Sequence, residues 1–196
     1  MSDYTNNWFA YAPEVWQHLT PLLKERRSFL EIGSYEGRST VWTIENMLED
    51  GGRIDCIDTW EGSEEHDGTD MAAVEARFDK NTYEATSNTK FRRQVRKLKG
   101  RATEKLAYIM TSRVSFYDFV YIDGSHVARD VLTDACMAWT MLKPGGIMVF
   151  DDYLWGDKRD VLHRPKLAID AFVNIFAEDL TVLHVGNQLA IMRNPV

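Results

Sequence analysis

Cysteine is scarce in this 196-residue chain: Cys56 and Cys136 are the only two, they lie far apart, and they form no Cys-x-x-Cys pair. That excludes a disulfide scaffold and a zinc site built on paired thiolates, and both thiols are expected to be reduced, buried small hydrophobes. Long apolar runs are also missing. No stretch approaches the ~18 residues of a membrane-spanning helix, and the opening MSDYTNNWFAYAPEVW lacks a basic segment followed by an apolar one, so the expected location is the cytoplasm. Positive charge is outnumbered, with 23 Lys and Arg against 30 Asp and Glu and a net charge of -7. Broad phosphate neutralisation, the basis of general nucleic-acid binding, does not suit that balance. Repeats, low-complexity tracts and Pro- or Ser-rich linkers are absent too, and 44% hydrophobic residues suffice for a sizeable core, so one domain over 1–196 is expected.

Short apolar runs ending in Gly or Asp alternate with stretches of helical spacing, which is the pattern of a doubly wound α/β sheet. Residues 1–27 read as a helical cover for one edge of the sheet, with Val15, Trp16, Leu19, Leu22 and Leu23 near helical spacing and Pro21 as a break. SFLEIG, RIDCID, FYDFVYID and GIMVFDD read as strands, and RQVRKLKG as a weaker one inside the basic run from Lys90 to Arg101. Such a run is usually a solvated face. Helices are expected over 38–48, 71–81, 103–112, 127–142 and 166–178, with Trp139 and Met141 in the core. The polar stretch 59–70 is a candidate lid loop, and LTVLHV and LAIMRN around Gly186 to Gln188 predict a terminal antiparallel hairpin.

The first chemical motif is FLEIGSYEGRST, a strand ending at Glu31 and a turn carrying Gly33, Ser34, Tyr35 and Gly37. The middle glycine of GxGxxG is missing, as is any Gly-Lys-Ser/Thr phosphate loop. An acid in this position would repel pyrophosphate but suits a cationic ammonium or sulfonium. Asp58 closes the second strand, where an acid accepts ribose hydroxyls, and Thr59 or Trp60 beyond it could line the nucleoside. The plain alternatives are a packing turn at Gly33 and a cap at Asp58.

EIGSYEG and Asp58 resemble the first motif and ribose-binding acid of class I S-adenosylmethionine-dependent methyltransferases, and the hairpin is similar to the reversed last strand of their seven-stranded, Rossmann-like sheet. DFVYIDGSH followed by LKPGGIMVFDDY resembles the small-molecule O-methyltransferase branch, which includes macrocin-type sugar and catechol O-methyltransferases. The resemblance covers roughly Phe29 to Tyr153 and implies S-adenosylmethionine held by Glu31, Gly33, Ser34, Gly37 and Asp58, with Gly100, Arg101 and Ala102 near adenine. It also implies a small hydroxylated substrate (sugar, diol or phenol) and makes a homodimer plausible.

Asp123, His126, Asp151 and Asp152 are expected at the carboxyl ends of two adjacent central strands, where ligands of open α/β sheets bind. Three carboxylates in one crevice repel unless one is protonated or a cation joins them, and Mg²⁺ would accept Asp123, Asp151 and Asp152 as oxygen ligands. Metal-dependent relatives carry acids at the positions matching Asp123 and Asp151, an acid or amide at that matching Asp152, and a general base three residues after the first acid, where this chain has His126; Ser125 departs from variants that carry another acid there. The same residues also suit structural roles: Asp151 and Asp152 as turn caps, Asp123 as a cofactor or backbone ligand, and His126 as a helix cap. The Asn/Asp-Pro-Pro-aromatic motif of base-modifying methyltransferases is absent, and His18, His66, His163 and His184 have no partner at metal-ligand spacing. The expected reaction is in-line methyl transfer to a hydroxyl deprotonated by His126. The alternatives are a nucleotide-cofactor oxidoreductase and a non-catalytic nucleoside-binding protein.

Overall fold

The computed structural model describes residues 3–63, 66–87, 90, 92–156 and 160–195. Tyr117–Ile122 is buried at every position, as a strand covered on both faces must be, and forms β4 at the centre of the sheet. With β1 (Ser28–Ile32), β2 (Arg53–Asp58), β3 (Gln94–Lys99), β5 (Leu142–Phe150), β6 (Leu180–Val185) and β7 (Leu189–Arg193), it makes one seven-stranded sheet in the order β3-β2-β1-β4-β5-β7-β6. The strands from β3 to β5 run parallel, and β7 is antiparallel to both β5 and β6, so the terminal hairpin forms as expected.

Among the described residues six α-helices cover the two faces: α1 (Ala12–Leu19), α2 (Arg38–Asn46), α3 (Met71–Ser87), α4 (Ala102–Met110), α5 (Ala128–Met141) and α6 (Pro165–Ile175). Trp16, Ile44, Val74 and Phe78 from α1 to α3 pack with Phe29, Ile54, Phe119 and Tyr121 on one face. Leu106, Val131, Trp139 and Phe172 from α4 to α6 pack with Leu30, Ile32, Val120, Ile122 and Met148 on the other. Alternate residues of β1 and β4 thus serve opposite cores, as the two-residue period of a strand requires.

Three expectations need correction. The N-terminal cover lies over the middle of the sheet rather than an edge, because Trp16, with no exposed surface, packs edge-on against Phe119 and Tyr121 of β4 and donates to Gln188 Oε1 at 2.8 Å. Helix α3 continues past residue 81 to Ser87, with Thr82 and Ala85 buried. Cys136 is exposed on α5, whereas Cys56 is buried.

The weakly patterned strand β3 is a sheet edge. Two of its basic side chains lean onto α3, with Lys97 Nζ 2.8 Å from Glu75 and 2.7 Å from Asp79, and Lys99 Nζ 2.5 Å from Glu75. A charged edge of this kind resists pairing with further strands. Among the described residues no helix is long and apolar enough to cross a membrane.

Candidate active site

Hydrogen bonds between neighbouring strands continue one residue beyond the strands and align their carboxyl ends. Gly100 N–H donates to Asp58 O, Gly33 N–H to Ile57 O, Asp123 N–H to Ile32 O and Asp151 N–H to Ile122 O, at 2.7 to 2.9 Å. Gly100, Asp58, Gly33, Asp123 and Asp151 therefore stand in one row. At ~4.8 Å per strand the row is about 20 Å long, enough for an extended ligand with a nucleoside at one end. The chain leaves β1 towards β2 and returns to pair β4 on its other side, so Gly33 and Asp123 flank the topological switch point, where open α/β sheets bind ligands.

Gly33 is required by contact as well as by conformation. Its φ is +86°, and a Cβ there would lie 2.0 Å from the Asp123 carbonyl oxygen. Gly37 (φ +77°) precedes α2. Between them Tyr35 takes φ +46°, and its carbonyl accepts Trp60 Nε1–H at 2.9 Å. Glu31 is buried beneath the first turn of α2 and accepts the hydroxyls of Ser34, Ser39 and Thr40. Burial pushes its pKa up, and the three hydroxyl bonds oppose the shift. Asp58 turns inward to the same loop: one carboxylate oxygen accepts the backbone N–H of Ser34 and of Tyr35, both at 2.9 Å, and the other that of Trp60 at 2.7 Å. The acid thus shapes the turn while keeping part of its acceptor capacity, since a carboxylate has about four lone-pair sites. Thr59 Oγ1 accepts Glu61 N–H at 3.1 Å. Gly100, Arg101 and Ala102 join β3 to α4 beside Asp58, with Arg101 as the helix N-cap.

At the other end of the row, Asp151 is buried, and its two oxygens accept the hydroxyls of Tyr11 (2.6 Å) and Tyr121, with the Asp152 N–H at 2.8 Å on the first. Tyr121 OH also lies 3.0 Å from Asp123 Oδ2. Asp152 adopts φ +56°, and its Oδ2 is 2.7 Å from His126 Nε2. The Trp155 ring covers the imidazole at 4.3 Å between centroids. Asp123 opens to solvent at the crevice mouth, and the protein crowded around its carboxyl, then the charges of Asp151 and Asp152, push its pKa well up. Burial, then Asp152, raises that of Asp151. Burial and the same acids hold the Tyr11 and Tyr121 phenols protonated, as donors.

Asp123, Asp151 and Asp152 do not converge as a cation site: Asp151 is occupied by hydroxyls and a backbone N–H, and Asp152 is turned to His126. Among the described residues, no group of three or more His, Cys, Asp or Glu side chains is arranged to hold a metal ion. A cavity of about 400 Å³ lies beside the turn, lined by Thr5, Asn6, Trp8, Tyr35, Asp70 and Arg77 among others. None of Asp58, Asp123, His126, Asp151 or Asp152 lines it.

The family model described as a methyltransferase domain matches residues 30–153, the region that supplies this row of strand ends. The chain belongs to the methyltransferase domain family. No curated protein matches its sequence. Among solved structures the methyltransferase is similar to the O-methyltransferase TomG of Streptomyces achromogenes, involved in tomaymycin synthesis and solved with SAM, at 22% identity and a TM-score of 0.66 over 93% of this chain and 80% of that one. An O-methyltransferase of Bacillus cereus solved with SAH is 20% identical, with a TM-score of 0.62 over 98% and 83% of the two chains. MycE of the mycinamycin biosynthetic pathway, solved with Mg, SAH and mycinamycin VI, is 16% identical, with a TM-score of 0.61; the match covers 99% of this chain and 50% of that one. At these identities the likeness is one of fold.

Several residues bordering the methyltransferase's site escaped the sequence. Tyr11 and Asp151 are 140 positions apart, and no spacing rule connects them. Tyr121 reads as one more apolar strand residue, yet its hydroxyl bridges two acids. His66, assigned no role above, stacks on Tyr35 at 5.1 Å and lies 5.7 Å from the Trp8 ring, tying the 59–70 loop to the turn between Gly33 and Gly37. Glu64 and Glu65 of that loop lie outside the described residues.

Proposed function

We propose that the protein is an S-adenosylmethionine-dependent O-methyltransferase acting on a small hydroxylated acceptor. The observation that carries this reading is the single row of strand ends with a shaped turn and Asp58 at one end and a carboxylate-held histidine at the other. Bound along this row, S-adenosylmethionine would supply a sulfonium methyl for in-line transfer to an oxygen nucleophile. Asp58 offers its remaining acceptor capacity to a ribose hydroxyl, and Gly33 lets the turn close against the Asp123 carbonyl beside it. Gly100, Arg101 and Ala102 border the adenine end, and Tyr35 and Thr59 flank the ribose. Glu31 shapes the turn through Ser34 and the α2 hydroxyls, and Asp123 stands next to that turn in the row.

His126 takes the acceptor hydroxyl's proton as the new O–CH₃ bond forms. Asp152 fixes the imidazole's orientation and stabilises the imidazolium that results, the role a carboxylate plays beside a general-base histidine. Trp155 covers the ring and limits water access. Much of the acceleration would come from positioning, because methyl transfer needs donor and acceptor in line at near contact.

Calorimetry with S-adenosylhomocysteine tests the cofactor half: wild type binds, and Asp58→Ala binds at least roughly tenfold more weakly, having lost both a ribose acceptor and the anchor of the turn. Absence of binding by the wild type would refute the proposal. Methyl transfer to a panel of phenols, diols and sugars tests the other half, where His126→Ala should cut turnover by about 10² or more with cofactor affinity unchanged.

A further inference from the structure

The segment before α1 touches both ends of the site. Thr5 donates its N–H and hydroxyl to buried Glu36, in the cofactor turn, at 2.7 and 2.8 Å. Asn81 on α3 brackets the same segment through both the N–H and the carbonyl of Asp3. Trp8 packs on Tyr35, 5.0 Å between ring centroids. A single 3-10 turn, Trp8–Tyr11, then delivers Tyr11 to the far end, anchored by Phe9 packed edge-on to Trp16 at 4.9 Å. Tyr11 remains 38% exposed while its hydroxyl reaches Asp151 Oδ1 at 2.6 Å.

That oxygen also accepts the N–H of Asp152, and this peptide sets the Asp152 conformation. Asp152 is left-handed at φ +56°, which an Asp tolerates only at some cost and only when its surroundings impose it. In that conformation its carboxylate meets His126. Tyr121 cannot replace Tyr11 in this role, because it holds the other oxygen of Asp151 and Asp123. Hydrogen bonds therefore lead from Tyr11 through Asp151 to the Asp152 backbone, and the Asp152 side chain carries the connection on to the imidazole.

We infer that Tyr11 is a positioning residue for the His126–Asp152 pair, its hydroxyl holding Asp151 in the place that directs Asp152 onto the imidazole. This rests on the base role proposed for His126. It makes the segment before the sheet part of the acceptor half of the site, while its Thr5 and Trp8 contacts belong to the cofactor half.

Reactivity of His126 towards diethylpyrocarbonate, followed on its own peptide by mass spectrometry at one neutral pH, reads the state of the pair without any acceptor. Asp152→Ala removes the carboxylate from the imidazole and sets the reference rate for a ring without it. Tyr11→Phe, which keeps the ring and loses one hydroxyl, should raise the rate roughly fivefold or more, in line with loss of a charge-assisted bond. Its S-adenosylhomocysteine affinity should stay within about twofold of wild type, since no cofactor contact changes. Thr5→Ala loosens the segment at Glu36 without touching the Tyr11 hydroxyl and should leave His126 at the wild-type rate. If Tyr11→Phe reacts like wild type while Asp152→Ala is fast, the inference is overturned and the His126–Asp152 pair stands. Thr5→Ala matching Tyr11→Phe would overturn it too, by showing a loosened segment rather than a directed hydroxyl. An Asp152→Ala rate equal to wild type would remove the pair itself, and with it the proposed base.

Discussion

Asp134, on α5, is 3% exposed, and its Oδ1 has no hydrogen-bond partner. Burial, then the charge of Asp130 one turn earlier, pushes its pKa from 3.8 up to about 7. The folded protein thus holds this proton more tightly than the unfolded chain, and between the two values it binds more protons. Stability is therefore greatest below the unfolded pKa, falls as pH rises, and levels off above about 7. A shift of this size at ~1.4 kcal/mol per pH unit amounts to roughly 4 kcal/mol. Asp134→Asn removes the charge and keeps the shape. Urea unfolding of both proteins from pH 4 to pH 8.5 should show the variant nearly level with wild type at the acid end and ahead by up to about 4 kcal/mol at the alkaline end. In a chain of this size that is on the order of 10 °C in Tm. A difference that stays flat across the range would mean that Asp134 ionises normally in the fold, and the reasoning would fail.

Gly33→Ala should abolish S-adenosylhomocysteine binding in calorimetry and cost roughly 3 kcal/mol or more in urea, since the added Cβ meets the Asp123 carbonyl at 2.0 Å and φ is +86°. Tyr117→Phe takes the hydroxyl donor, at 2.6 Å, from Asp55 Oδ2 in the fully buried middle of β2. A loss of about 1–3 kcal/mol with unchanged cofactor affinity is expected, because the pair lies away from the strand ends. Trp16→Ala should cost about 3–5 kcal/mol by emptying the space over β4, and Trp16→Phe less, with Gln188 losing its indole partner in both; chemical denaturation at constant m-value checks the order.

The sheet was legible because buried parallel strands must be apolar on both faces, so SFLEIG, FYDFVYID and GIMVFDD stand out in any context. The edge strand β3 was faint for the converse reason: one side of it needs charge, and its Lys97 and Lys99 pattern makes sense only beside Glu75 and Asp79 of α3. At the site, the turn from Glu31 to Gly37 and the acids at strand ends could be located because chain topology fixes where strands end. What those side chains bind was not legible. Asp58 faces backbone N–H groups, and Asp151 is held by two tyrosines, one carried by the N-terminal cover and one by β4. Such partnerships are made by packing between distant segments. The placement of residues 1–27 at an edge failed likewise, because amphipathic spacing shows that a face is buried but not against which strand.

The unequal exposure of the two thiols makes the protein a single-handle object for spectroscopy. Cys56 is sealed in the core, where burial and the neighbouring Glu31 push its thiol far up, so it will stay inert to alkylation while the fold persists. Cys136 is open on α5, the helix that begins two residues after His126. A fluorophore or spin label attached there without any mutagenesis would ride on the rigid element behind the proposed base. Because partial burial also raises the Cys136 thiol, the attachment will go best in mildly alkaline buffer.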